Sequence, residues 1–213
     1  MIKKRGLFVF FVLAVVFFAF LVISTFSFAH KAVLITKDPS QIYFAIGKHY
    51  FNNNDYNSAI KYFKKSIELN PDFAEAYYNL GVSFYYNKDL QQAISFLKKS
   101  IEIKNDYAKA HYSIGLAYYE LKDFDNAIVN LLTFTQLEPE NPNAHFDLAV
   151  AYADRFRKKE LSQNIASDDL NDLKEALKHY LKAEDLKPGF PHALSNAEII
   201  KDIIDGYENI YKG

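Results

Sequence analysis

Six histidines, 26 Asp and Glu residues and no cysteine make up most of what this 213-residue chain could bring to a reaction or a metal. Without cysteine there is no disulfide, thiolate zinc ligand, thiol nucleophile or sulfur-borne lipid. His111 and His145 stand thirty-four places apart, and neither has a carboxylate or a second histidine three or four places away, where a helical metal site would need one. Glu175 and His179 are four apart and would share a helical face, but two ligands are too few to hold a metal. The chain has no glycine-rich phosphate loop, nucleophile elbow, paired-histidine zinc helix or calcium loop. The expectation is a non-enzymatic protein with no catalytic residue, no metal and no cofactor. What remains is recognition, which depends on the elements that shape a surface.

Those elements are expected to be helices. Seven glycines among 213 residues are about 3%, against roughly 7% in an average protein, too few for the turns of a sandwich or a doubly wound sheet. The charge is balanced, 25 basic against 26 acidic residues, so nothing steers the chain toward nucleic acid. Gly47, Gly81 and Gly115 are separated by the same thirty-four places at each step, which points to a repeat architecture.

Counted from Ser40, Ala74 and Ala108, three units of equal length fall into register. Position 7 reads Ile46, Leu80, Ile114, position 8 is glycine each time, and position 11 is Tyr50, Phe84, Tyr118. Position 20 is Ala59, Ala93, Ala127, each followed by isoleucine, and position 24 is Phe63, Leu97, Leu131. The three-and-four spacing gives each unit two amphipathic helices. Small residues at positions 8 and 20 let the two axes approach closely, where a bulkier side chain would strain the packing. Asp55, Asp89 and Asp123 stand where they can cap the second helix. Pro71 and Pro139 close the first and third units, since proline disfavours helix in the residue before it.

The pattern resembles the tetratricopeptide repeat, with its layout W-x2-L-G-x2-Y, A-x3-F, P and a unit of the same length. No unit has the tryptophan, and Asn105 replaces the proline of the second. The resemblance implies an all-α, right-handed superhelical solenoid of antiparallel helix pairs with a concave groove lined by the first helices. Carried over to this chain, its groove positions are Phe44, Lys48 and Phe51 in the first unit, and Glu75, Tyr78, Tyr85 and Tyr86 in the second. Lys109, Tyr112 and Tyr119 follow in the third, and Phe146 in the fourth. Rigid aromatics there would give a partner contact area at low entropic cost. The carboxylate clamp of chaperone-binding relatives is incomplete: Asn79 and Lys109 match it, but Phe44 and Ser113 occupy two of its cationic places.

A fourth unit, 142–190, has Ala149 in the glycine position and a second helix, with Ala176, Tyr180 and Pro188, that comes fifteen places late. The insertion, about 155–171, is basic at its start and acidic at its end, as expected of a solvated extension of both helices, with a docking loop as the alternative. A helix from 191 to 211, apolar on one side, would cap the array.

Before the repeat domain (40–213) and a linker (30–39) comes a segment of another kind. Lys3, Lys4 and Arg5 precede a run from Leu7 to Phe28 that is free of charge. At about 1.5 Å per residue the run could span a hydrocarbon core of roughly 30 Å. Residues 1–29 are expected to be either a transmembrane anchor or a signal peptide cleaved near Ala29. In both cases the basic cluster stays inside, and the repeats lie outside the cytoplasm, membrane-anchored, or secreted or periplasmic after cleavage. The sequence thus suggests a tethered or exported scaffold that binds a protein or peptide partner. Alternatives are a self-assembling, homo-oligomeric structural protein and an accessory subunit of a secretion or envelope machine.

Overall fold

The computed structural model describes residues 38–162 and 170–212, with side chains through residue 209. The segment expected to be an anchor or signal peptide (1–29), most of the linker and the middle of the insertion lie outside the described residues. Among the described residues there are nine helices and no strand, and no helix is long and apolar enough to cross a membrane.

The helices form an all-α solenoid of antiparallel pairs. The first three pairs are α1 (Pro39–Asn52) with α2 (Tyr56–Leu69), α3 (Ala74–Tyr86) with α4 (Leu90–Ile103), and α5 (Ala108–Glu120) with α6 (Phe124–Leu137). The fourth is α7 (Pro142–Leu161) with α8 (Leu170–Leu186), and α9 (Ala193–Lys212) ends the array. Each helix packs mainly on its neighbours in sequence, and α3 also touches the first helices on either side of it, α1 and α5. Stability is therefore built from repeats and their interfaces.

Within a pair, the small residues do what their size requires. A methyl group added to Gly81 would sit 2.6 Å from Leu97 Cγ and 3.0 Å from the Ala93 carbonyl oxygen. Added to Gly115 it would meet Leu131 at 2.8 Å. Ala59, Ala93, Ala127 and Ala176 are fully buried against the partner helix. Asp55, Asp89 and Asp123 accept from the backbone N–H groups of Ser58, Gln92 and Asn126 at 3.0, 3.2 and 3.2 Å, supplying first-turn donors with an acceptor.

Between pairs, aromatic residues set the stacking. Phe73 and Tyr107 precede α3 and α5 without a side-chain cap. Their rings pack on Phe44 and Tyr78 of the previous pair, with centroids 4.8 and 5.0 Å apart. Phe190 repeats the contact on Phe146 at 5.2 Å. The insertion therefore leaves the junction with α9 in register, as if α9 were the first helix of a fifth unit. Where other first helices turn glycine or alanine and an aromatic toward their own partner helix, α9 has exposed Glu198 and Lys201. Its Ala193, Ala197, Ile200 and Ile204 are buried against the array. The helix starts at Ala193 because His192 takes a left-handed turn, φ 64°.

The inserted region is anchored by charge. Arg155 on α7 binds both carboxylate oxygens of buried Asp172 on α8, at 2.9 and 2.5 Å, and reaches Asp125 on α6 at 2.8 Å. Lys159 adds a contact of 3.2 Å to Asp172.

Candidate functional site: the face of the first helices

The first helices present one continuous face. Its floor is Val82, Leu116 and Val150, half-buried and one repeat apart, and α9 continues the line with exposed Ile199. Around Val82 and Leu116, Tyr78, Tyr85, Tyr86, Tyr112 and Ser113 complete a cavity of about 160 Å³ between α3 and α5. The structure thus brings together four of the aromatic residues expected in the groove. Tyr119 and Phe146 extend the wall; Glu75 and Lys109, at its rim, are both exposed.

The first repeat contributes less. Phe44 is only 7% exposed and lies in the core between Phe63 and Phe73, offering no groove surface. Its bulk is needed to fill the junction between the first two pairs. Exposed Lys48 stands over its ring with 5.5 Å to the centroid. Phe51 meets Tyr56 and Tyr86 edge-on at 5.6 and 5.7 Å, and Tyr86 stacks on Tyr56 at 5.3 Å, half of its surface still open.

The tyrosine hydroxyls are already engaged. Tyr85 donates to Glu120, Tyr112 to Asp147 at 2.7 Å and Tyr119 to Asp154 at 2.5 Å; each acceptor lies 35 residues on, one repeat and one residue further. Tyr78 and Ser113 stand in the same register, one repeat and one residue apart, and both line the cavity. The groove is thus laced between repeats by phenols, and a ligand meets their rings more than their hydroxyls. Burial, reinforced by the carboxylate acceptors, pushes the Tyr85, Tyr112 and Tyr119 phenols far up, so they stay neutral donors at physiological pH.

The three carboxylates differ. Glu120 is held below the usual range by the Tyr85 hydrogen bond and by Lys88, 3.3 Å away. Asp154 has Arg157 at 3.4 Å. Asp147 has only the Tyr112 hydroxyl among the described residues, and burial pushes its carboxyl up. The sequence reading missed Asp147, although pairing each groove tyrosine with the residue one repeat and one place on would have found it.

The histidines form a second cluster. His145 and His179 stack with centroids 5.1 Å apart and share a hydrogen bond between their Nδ1 atoms, 2.9 Å. His145 Nε2 lies 3.0 Å from the Pro139 carbonyl oxygen and donates to it, which leaves its Nδ1 to accept from His179. Burial and the neighbouring His145 lower His179 to about 4. No group of three or more metal-ligating side chains occurs among the described residues.

A family model described as TPR repeat matches residues 47–88 and 115–154, and another described as tetratricopeptide repeat matches 74–107. The chain carries tetratricopeptide repeats. The array is similar to the crystal structure of MamA, 26% identical, TM-score 0.60, over 74% of this chain and 84% of that one. It is similar in fold to YrrB, described as a TPR protein with an unusual peptide-binding site, 19% identical, TM-score 0.66, over 83% of each chain. The first TPR of Spaghetti, bound to an HSP90 peptide, is 22% identical with a TM-score of 0.52, over 54% of this chain and 92% of that one. No curated protein sequence matches the chain significantly.

Proposed function

We propose that this protein is a non-enzymatic scaffold that takes an extended peptide or a helix of a partner protein along the face of its first helices, supporting assembly of a complex. The observation that carries this reading is the half-buried line Val82, Leu116, Val150 walled by tyrosine rings, an apolar floor with rigid sides and no covering element among the described residues. Such surfaces gain affinity by displacing water from apolar area without ordering flexible side chains. That YrrB is described as having a peptide-binding site and the Spaghetti repeats as holding a peptide supports the same use here.

Photo-cross-linking from Leu116 in cells tests it, with exposed Val129 on the second helix of its repeat as control. A protein adduct from Leu116 and none from Val129 is expected. Equal adducts from both sites would remove the groove as the binding surface.

The location proposed is extracytoplasmic, with residues 7–28 as an anchor in the membrane or removed as a signal, on the strength of the uncharged run behind Lys3, Lys4 and Arg5. N-terminal sequencing of the membrane-fraction protein distinguishes an intact anchor from a cut near Ala29, and an intact chain found only in the cytosol overturns both. Leu194, Ile199 and Ile203 are exposed on α9, which favours a second use in self-association. Light scattering of the detergent-solubilised chain over a hundredfold range of concentration would show growth in mass; a constant monomer removes that use.

A further inference from the structure

The tyrosine-lined cavity at the centre of the groove has one carboxylate beside it that no cation balances among the described residues. Tyr112 forms a wall of the cavity and donates to Asp147, whose hydrogen bonds and ion pairs there include no lysine, arginine or histidine. The neighbouring groove carboxylates are satisfied, Glu120 by Lys88 and Asp154 by Arg157. Asp147 lies close enough for its charge to raise the Tyr85 phenol, which forms another wall. An ionised carboxylate at a half-buried site without a cation is costly to the free protein, and a ligand cation that reaches it removes that cost on binding. The walls suit a cation as well. Tyrosine faces attract ammonium and guanidinium groups, and their edges pack on an alkyl stem. The cavity, about 160 Å³, holds roughly the volume of five waters in the liquid, enough for one long side chain and too little for a helix.

The same place is unsuited to an acidic ligand. Ser113, where a cation would complete a carboxylate clamp, lines the cavity with a neutral hydroxyl. Asp147 would repel a second carboxylate.

We propose that this cavity receives a lysine or arginine side chain from the partner's bound segment, its stem held between Tyr78, Tyr85 and Tyr112 and its cation paired with Asp147. The inference rests on the peptide-binding reading of the groove and adds the chemistry of the residue recognised.

Selection from a display library of short random peptides on the full chain in detergent micelles tests it. Selected peptides are expected to be enriched in lysine or arginine at one position. Their affinity should fall roughly tenfold or more in Asp147→Asn, where the Asn carbonyl still accepts from Tyr112, and return in Asp147→Glu. Asp147→Lys should turn the selection toward Asp and Glu. Helical circular dichroism checks that each variant is folded. Peptides that bind, that lose binding in Leu116→Arg, and yet show no basic enrichment and no response to Asp147→Asn overturn this inference and leave the groove reading intact. Acidic enrichment on the wild type overturns it as well. If no selected peptide responds to Leu116→Arg, both readings fall.

Discussion

The Tyr112 hydroxyl donates to Asp147 across the interface of the third and fourth repeats, 2.7 Å over a separation of 35 residues, and it is the only hydrogen-bond partner the carboxylate has among the described residues. Because burial raises the Asp147 carboxyl, the folded state holds its proton more tightly than the unfolded chain does. The ionised form is penalised at neutral pH, and the penalty lifts as pH falls through the folded-state value. Asp147→Asn is therefore expected to raise the Tm at pH 7, with the gain over wild type shrinking toward pH 4. Tyr112→Phe should act the other way, costing about 1–2 kcal/mol in chemical denaturation by removing the sole donor. A destabilised Asp147→Asn at pH 7 would refute this account of the pair.

Much of the scaffold could be read from the sequence because its determinants are local and periodic. Gly81 opposite Leu97, Ala93 beneath it and Asp89 at the helix start each recur once per repeat, and each acts within its own helix pair. The groove was legible only as positions. Tyr85, Tyr112 and Tyr119 do lie on the face of the first helices, but their hydroxyls are spent on the next repeat, a relation between units that reading each unit separately does not expose. Phe44 occupies a groove position and is nevertheless core, because the Phe73 ring that closes over it comes from the loop before the next helix.

Arg155 holds the interrupted repeat together. It grips Asp172 with two nitrogens and Asp125 with a third contact, and the Asp172 side chain is 8% exposed. Removing the guanidinium leaves the buried carboxylate only Lys159 among the described residues, and Arg155→Ala is expected to cost about 2–3 kcal/mol. Asp172→Asn should cost less than Arg155→Ala, since an amide can be buried without a counter-ion. Urea titrations of the two variants and the double variant measure the coupling, and simple additivity would sink it.

Gly81 is the tightest of the repeated close approaches, with both Leu97 and the Ala93 carbonyl in the way of a side chain. The Ala93 backbone cannot yield as a side-chain tip could. Gly81→Ala should destabilise the array by about 1–3 kcal/mol, although alanine is the better helix former by about 1 kcal/mol. Gly206, with nothing within 4 Å of an added methyl group, is the internal control, and alanine there should stabilise α9. Thermal melts of the two variants moving in the same direction would contradict the packing argument.

His179 gives the fold an acid sensitivity that can be assigned to one pair. Its ring bonds to His145 through Nδ1, and the carboxylate of Glu175 is 3.8 Å from Nε2. Burial lowers His179 from 6.5 to about 4, so the unfolded chain takes up a proton that the folded one resists. Stability from this group is complete above pH 6.5 and is lost as pH falls through the window down to about 4, by at most about 1.4 kcal/mol per pH unit. His179→Gln has no proton to gain, and its amide can still hydrogen bond to His145. It should therefore lose less stability than wild type between pH 7 and pH 5 in guanidinium titrations, while equal losses would place the acid sensitivity elsewhere.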